Sequence, residues 1–94
     1  MATKKEQLKT INQMIAEAEV KDFRKIERAV SKNAQVVFEY RKQGEEPETR
    51  VVQLENLLVS ESGDRYVNGH DLIRNEARSF RLDRIKAGSV RSVR

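Results

Sequence analysis

The sequence predicts an α+β domain in which N-terminal helices are followed by a small antiparallel β-barrel. Up to about residue 33, apolar residues recur at spacings of three and four, which is the period of an amphipathic α-helix. From Gln35 onward the period changes to two, and short apolar runs are separated by turn residues, as in half-buried strands. A chain of 94 residues is long enough for one domain with one modest core.

Two helices are predicted before residue 35. In the first, at about residues 4–18, Thr3 and Glu6 have the spacing of a capping box. Its stripe comprises Leu8, Ile11, Ile15 and Ala18. The second, at about residues 21–33, carries Phe23, Ile26 and Val30, with Asp22 as a first-turn acid or cap. We therefore divide the chain into an amphipathic helix, residues 1–20, and a barrel domain with its leading helix, residues 21–94. The first helix is expected either to fold back on the barrel or to pair with a second copy or a host protein.

The β-region is expected to contain five or so strands. Alternation and β-branched residues indicate strands at residues 35–41, 49–54, 56–60 (a continuation or a separate strand), 65–70, 74–80 and 86–94. Turns are predicted at residues 44–47 and 62–64, and a short helical turn at residues 82–85. Short strands of this number favour an SH3-like or Sm-like antiparallel barrel. The expected core comprises Phe23, Ile26, Val30, Val37, Leu54, Leu57, Val67, Phe80, Leu82 and Ile85.

Composition excludes several classes of protein. The chain has no cysteine, which rules out disulfides and thiolate zinc sites. No apolar run approaches the roughly 20 residues of a membrane span, and the N-terminus lacks the apolar stretch of a signal peptide, so a cytoplasmic location is expected. The only histidine is His70, and no nucleophile motif, glycine-rich phosphate loop or metal-ligand spacing is present. We therefore expect no catalytic residue, metal or cofactor, and a non-enzymatic module.

The charge is unevenly distributed along the chain. The net charge is +4, but residues 65–94 contain eight Lys/Arg against three Asp/Glu, whereas residues 35–64 contain three against seven. Arginine presents a planar fork of donors that suits phosphate. Surface charge that only keeps the domain in solution explains the same composition equally well.

Residues 66–85 read YVNGHDLIRNEARSFRLDRI. This stretch resembles the signature half of the WYL domain, which has an aromatic-Tyr-Leu strand, often a Gly three residues after the Tyr, and an Arg-x-Glu-x-Arg-[Thr/Ser]-Phe-Arg-x-Asp-Arg-Ile run. The resemblance covers about residues 22–90. Three positions depart from the pattern: Arg65 stands where the family has Trp, Val67 where it has Leu, and Gln53 where it has Pro, so an aromatic stacking surface is lost. The first helix, at residues 4–18, is not part of the family pattern.

A ligand site is predicted on two neighbouring strands. In an extended strand Arg74, Glu76 and Arg78 share one face, and Tyr66, Asn68 and His70 share a face of the preceding strand. Antiparallel pairing is expected to bring the two rows together as a cationic groove with one ring for stacking. The resemblance implies a pocket in this region with contributions from Arg50, Arg78 and Arg84. The predicted site is therefore Arg50, Tyr66, His70, Arg74, Arg78 and Arg84.

Each of these residues also has a structural interpretation. Tyr66 is equally well explained as a half-buried barrel tyrosine, and His70 is better explained as a surface or hydrogen-bonded residue. Asp83 is expected to pair with Arg81 or Arg84 in a structural ion pair. Strict alternation places Phe80 on the face of Arg78, so either a bulge intervenes or Phe80 forms the floor of the pocket.

Two functions follow from these observations. The first is a WYL-like module that binds nucleic acid (single-stranded DNA or RNA) or a nucleotide-like ligand and regulates DNA or RNA transactions. The alternative is a protein-interaction adaptor, suited to a phage or mobile element, that acts on a host enzyme through its N-terminal helix.

Overall fold

The computed structural model describes residues 10–93, which form one long helix and a five-stranded antiparallel sheet. The elements are α1 (Ile11–Lys32), β1 (Gln35–Tyr40), β2 (Glu48–Val59), β3 (Arg65–Asp71), β4 (Glu76–Arg81), a 3₁₀ turn (Leu82–Arg84) and β5 (Arg91–Ser92). The predicted α+β class is confirmed.

Residues 11–32 form one continuous helix, where a break between two helices was predicted at about residues 18–21. Thr10 caps α1: its Oγ1 accepts the N–H of Gln13 at 3.1 Å, and the Gln13 side chain accepts the N–H of Thr10 at 2.9 Å, a capping box. No Gly or Pro interrupts the sequence between residues 18 and 22, so the helix continues through the predicted gap to Asn33, a left-handed C-cap. The cap predicted at residues 3 and 6 lies outside the described residues. Within the described part of the chain, no helix is long and apolar enough to cross a membrane.

The sheet has the strand order β4-β3-β2-β1-β5. The two runs predicted around residues 49–60 form the single strand β2, and its pairing with β3 shifts register between Leu54 and Asn56. After the 3₁₀ turn the chain returns to β1 through one bridge between Tyr40 and Ile85. No pairing joins β4 to β5 within residues 10–93, so the sheet is open and the predicted barrel closure is not confirmed.

Gly69 lies opposite the point where β2 changes its register with β3, and the space there admits only a glycine. It pairs with Leu54, the last residue before the register shift. A Cβ atom at this position would overlap the backbone carbonyl oxygen of Gln53. Only glycine therefore allows β3 to approach β2 this closely.

The core lies between α1 and one face of the sheet. It comprises Ile26, Ala29, Val36, Phe38, Tyr40, Val52, Leu54, Val67, Phe80, Ile85 and Val90. Five predicted core residues are therefore buried, and Phe23, Val30, Leu57 and Leu82 are half-buried. Val37 was predicted wrongly: β1 buries Val36, Phe38 and Tyr40, so alternation turns Val37 to the opposite face.

Asp22 has a different role from the predicted one. It lies in the middle of α1 and is 5% exposed. Its carboxylate accepts the backbone N–H of Gly88 at 2.7 Å and that of Val90 at 3.3 Å. Lys25 Nζ, one turn further on, donates to the carbonyl oxygen of Val90 at 3.1 Å. Asp22 thus fastens the segment before β5 to the helix and does not cap a helix.

Candidate functional site

Arg50 is the most buried of the predicted site residues. It is 2% exposed and lies on β2, on the core face of the sheet. Its Nη1 donates to Oδ2 of Asp71 at 3.3 Å, and its Nη2 lies 3.4 Å from a carboxylate oxygen of Glu48. Its guanidinium carbon is 6.0 Å from the centre of the Tyr40 ring and 5.8 Å from that of Phe80, within the range of cation–π attraction. The side chain is therefore held in the interior.

Asp71 is the fully buried partner of Arg50 and closes the β3–β4 hairpin. Its Oδ1 accepts the backbone N–H groups of Ile73 and Arg74, both at 3.0 Å. Burial acts to raise the pKa of Asp71, but the two N–H donors and the charge of Arg50 outweigh it and hold the pKa below its ordinary value. The pair is therefore ionised and fixes the end of the hairpin.

Arg74 and Arg78 also have carboxylate partners. Arg74 Nη2 donates to Glu48 at 2.7 Å, and Arg78 Nη1 donates to Glu76 at 3.1 Å. The side chain of Arg74 is 42% exposed and that of Arg78 is 24% exposed. Arg50, Arg74 and Arg78, three of the four arginines of the predicted site, are thus balanced by three acids, although Arg74 and Arg78 keep access to solvent.

The structure places Tyr66 and His70 on the other face of the sheet from Arg78. In the β3–β4 register Gly69 faces Arg78, whereas Tyr66 faces Arg81 and His70 faces Ala77. Since side chains alternate across a strand, the expected meeting of the two rows is wrong. His70 Nε2 lies 2.8 Å from the Asn75 side-chain oxygen, in agreement with the hydrogen-bonded interpretation.

Phe80 shares the face of Arg78 without any bulge. The β3–β4 pairing is regular from Tyr66 to Asp71, and Phe80 is 1% exposed. Its ring lies beneath Arg50 and packs edge-on against Tyr40, with 5.0 Å between ring centres. Phe80 is therefore a core residue that forms the floor under Arg50.

A basic groove of about 810 Å³ opens elsewhere, between the β1–β2 connection and the segment that follows β4. The basic groove is lined by Arg41, Lys42, Gln43, Gly44, Glu46, Pro47, Arg81, Asp83, Arg84, Ile85 and Lys86. Five of these residues are cationic and two are acidic. Arg84 is the one predicted site residue among them.

Three cations of the basic groove form neither a hydrogen bond nor an ion pair at contact distance within residues 10–93, although the charge of Arg84 also lowers the pKa of Asp83. The side chains of Lys42, Arg84 and Lys86 form no hydrogen bond or ion pair there, whereas Arg41 Nε donates to the carbonyl oxygen of Glu45 at 3.0 Å. Unpaired cations on two facing segments leave a positive potential that favours an anion.

Arg81 connects the groove to Tyr66. It donates to Asp83 through Nε at 3.0 Å and Nη2 at 2.7 Å, and to Asp64 at 3.2 Å. Its bidentate hydrogen bond with Asp83 raises the pKa of Arg81 and lowers the pKa of Asp83. The guanidinium carbon is 5.9 Å from the centre of the Tyr66 ring. The expected ion pair of Asp83 is thus found with Arg81, next to the predicted aromatic residue.

Most of the groove was missed by reasoning from sequence. Arg41 and Lys42 flank a predicted turn, and Lys86 follows the Arg-Leu-Asp-Arg-Ile run. Nothing in the sequence distinguishes these three residues from the other cations of a basic chain. They meet because Tyr40 pairs with Ile85. To identify these residues in advance, one would have to know that the chain returns to the end of β1 after the 3₁₀ turn. No local sequence pattern shows this return.

The comparisons with known proteins agree with the fold. The family model described as WYL domain matches residues 21–90. The chain is also similar to the structure of Proteasome accessory factor B/C (PafBC) of Arthrobacter aurescens, with a TM-score of 0.68 and 25% sequence identity over 79% of this chain and 11% of that one. It therefore spans about a tenth of that protein's length. No curated protein matches the sequence. Because the family model covers most of the sequence, including the run at residues 66–85, this chain belongs to the WYL domain family.

Proposed function

We propose that the chain is a non-enzymatic binding module that holds a phosphate-bearing ligand, nucleic acid or a nucleotide, in the basic groove. The observation that carries the proposal is the excess of positive charge in the basic groove, which is lined by five cations and only two carboxylates. Three of these cations form no ion pair among the described residues. Arginine and lysine side chains in this arrangement supply charge-assisted hydrogen bonds to phosphate oxygens.

The residues have different roles in the proposal. Lys42, Arg84 and Lys86 make the first contacts because they need not leave an existing partner. Arg81 also contacts the ligand when a phosphate replaces one of its two carboxylate partners. The ring of Tyr66, which lies next to Arg81, stacks on a base. Of the remaining predicted residues, Arg74 and Arg78 could bind phosphate in a second region of the surface, as could His70 on the opposite face. Arg50 would act by holding the hairpin, since it is 2% exposed.

Regulation of DNA or RNA transactions in the cytoplasm is the biological role that we propose. The WYL fold and the excess of cations in the basic groove support it. Binding without a fixed sequence is expected, because phosphate contacts carry no sequence information and stacking on Tyr66 tolerates any base.

A titration tests the proposal. Labelled single-stranded DNA, single-stranded RNA and a mononucleotide are titrated at low and at physiological salt into the wild type and into an Arg84→Ala/Lys86→Ala variant. Loss of two phosphate contacts should weaken binding about tenfold or more at low salt and reduce the log–log salt slope by roughly 1.4 to 1.8. Lys21→Ala/Arg28→Ala, which removes the same charge from exposed positions of α1, is the matched control. Equal affinity of the two double variants would contradict the groove assignment.

Substitution of Tyr66 separates stacking from charge. Tyr66→Ala should lose about 1–3 kcal/mol of binding free energy with little change in salt slope, and Tyr66→Phe should be nearly silent. A steeper loss with Tyr66→Phe than with Tyr66→Ala would exclude stacking as the mechanism.

A second candidate function, the protein-interaction adaptor, is favoured by exposed apolar residues on α1. Ile11 is 75% exposed, Met14 58% and Ile15 44%. This function predicts no saturable binding to any oligonucleotide at physiological salt, and loss of activity on changing Ile11 or Ile15. Light scattering over a range of concentrations distinguishes a second copy from another protein as the partner, because only the former raises the mass of the isolated chain.

A further inference from the structure

One side of α1 carries a row of cations. Lys21, Lys25, Arg28 and Lys32 follow one another at spacings of four, three and four, so at about 3.6 residues per turn they lie within roughly 60° around the helix axis. No other residue of α1 between positions 21 and 32 falls in this sector. We call these four residues the basic stripe. All four are exposed, and at 1.5 Å per residue the stripe is about 17 Å long.

The charges of the basic stripe are not neutralised by contacts. Within residues 10–93 the side chains of Lys21, Arg28 and Lys32 form no hydrogen bond or ion pair. Lys25 Nζ donates at 3.1 Å to the carbonyl oxygen of Val90, which is a neutral acceptor and leaves the charge of the lysine uncompensated. The stripe therefore presents four positive charges to solvent.

The acids of α1 lie outside the basic stripe. Asp22 faces the interior and already accepts two backbone N–H groups. Glu27 lies about 100° around the axis from the nearest stripe residue, and the neighbouring cation Arg24 offsets its charge. Glu17 and Glu19 precede the stripe. No carboxylate of α1 therefore stands between the cations of the stripe, as it would on a surface where charges of both signs alternate.

We propose that the basic stripe binds the phosphate backbone of a double-stranded nucleic acid. Each strand of a duplex carries one phosphate per roughly 3.4 Å of axis, so a straight row of about 17 Å faces several phosphates at once. The bases of a duplex are stacked on each other and need no ring from the protein. The stripe has no aromatic residue, whereas single strands are held by cations together with stacking rings.

The surroundings of the basic stripe do not suit other anionic partners. A protein interface has an apolar core, but no large apolar residue of α1 from Lys21 to Lys32 is exposed. A helix that lies on a membrane inserts apolar side chains beside its cations. The exposed large apolar residues of α1 all precede the stripe: Ile11, Met14, Ile15 and Val20. The inference is independent of the proposed function, since it involves no residue of the basic groove.

A titration with duplex DNA tests the proposal. A labelled, blunt-ended duplex of about 15 base pairs, roughly three times the length of the stripe, is titrated at low and at physiological salt into the wild type and into Lys21→Ala/Arg28→Ala. Loss of two phosphate contacts should weaken duplex binding about tenfold or more at low salt and reduce the log–log salt slope by roughly 1.8. Lys25 is left unchanged because it also holds Val90. The melting temperature of the variant should equal that of the wild type, since both positions are exposed.

Arg84→Ala/Lys86→Ala is the matched control, because it removes the same charge from the basic groove. This control should bind the duplex with a much smaller loss, whereas Lys21→Ala/Arg28→Ala should keep the wild-type affinity for a mononucleotide. Lys21→Arg keeps the charge and should bind the duplex as the wild type does. An error in the proposed function would appear as unchanged single-strand binding in the control variant, and it would leave the result with duplex intact.

Several results would overturn the proposal. Equal loss of duplex affinity in the two double variants, or an unchanged salt slope in Lys21→Ala/Arg28→Ala, would remove the basic stripe as the site. Binding of polyglutamate as tight as that of the duplex would assign the stripe to an acidic protein. Anionic vesicles that bind the wild type and not Lys21→Ala/Arg28→Ala, without any binding of duplex, would assign it to a membrane surface.

Discussion

Removal of the Asp22 carboxylate is expected to loosen the C-terminal part of the sheet. Asp22 accepts two backbone N–H groups from residues 66 and 68 positions away in the sequence. Val90, one of the two donors, is fully buried, and β5 follows it directly. Asp22→Ala therefore removes the only side-chain acceptor of that N–H group within residues 10–93.

The magnitude follows from the two donors. The orphaned N–H of buried Val90 should cost about 1–3 kcal/mol, whereas the N–H of exposed Gly88 regains water and loses only the net value of its short, charge-assisted bond, about 1–2 kcal/mol. The sum is a loss of about 2–5 kcal/mol in the free energy of unfolding. Asp22→Asn keeps one acceptor oxygen and should lose roughly half as much.

Urea denaturation measures the effect, and Glu27→Ala on the exposed side of the same helix is the control, with an expected change within about 0.5 kcal/mol. Faster amide exchange at Val90 in Asp22→Ala should accompany the loss. If Asp22→Ala were no less stable than Glu27→Ala, the carboxylate could not be the fastening point of this segment.

Three further changes test the core, the hairpin and the sheet. Phe80→Ala should lower the free energy of unfolding by about 3–5 kcal/mol, because a fully buried ring leaves a cavity, and unchanged thermal stability would contradict its place in the core. Asp71 has a folded-state pKa below its unfolded value of about 3.9, so the unfolded chain binds more protons in acid. The contribution of Asp71 is therefore present above about pH 4 and is lost as pH falls through the folded-state pKa. The melting temperature of Asp71→Asn should be lower at neutral pH and should fall less between pH 4 and more acidic solution; a parallel fall in both proteins would argue against the ionised pair. Gly69→Ala forces β3 away from Gln53 and should cost about 1–3 kcal/mol by urea denaturation, with Ser79→Ala on the exposed side of β4 as the control.

Local patterns predicted the elements well. The spacing of Leu82 and Ile85 predicted a short helical turn, and the structure has one at Leu82–Arg84, closed by the N–H of Ile85 donating to the carbonyl oxygen of Leu82 at 3.1 Å. Which residues of β1 face the core could not be predicted, because Val36, Val37 and Phe38 are all apolar. Burial of the odd-numbered or of the even-numbered residues suits the sequence equally well. The continuity of α1 was missed because a gap between two apolar stripes was taken for a break, although no helix-breaking residue occupies it.

Which side chains meet in the site depends on the register of the strand pairs, and local sequence patterns do not show this register. A pairing of β3 and β4 offset by one residue would have placed Tyr66 and His70 with Arg78, as expected; the actual offset separates them. The cations of the basic groove are also brought together by the contact between Tyr40 and Ile85, residues 45 positions apart. Charge composition thus predicted a cationic surface without its location, and Arg84 is the one residue of the basic groove that was identified in advance.

Arg81 is shared between two grooves of the surface. It lines the basic groove, and one of its acidic partners, Asp64, lines only the groove of about 520 Å³ beside α1, whereas Asp83 lines both. If the basic groove binds an anion as proposed, an anion that takes hydrogen-bond donors from Arg81 weakens the ion pair between Arg81 and Asp64, which increases the attraction for a cation in the second groove. By reciprocity, a cation bound at Asp64 would release Arg81 toward an anion by the same free energy. One guanidinium would then couple the two grooves with positive heterotropic cooperativity.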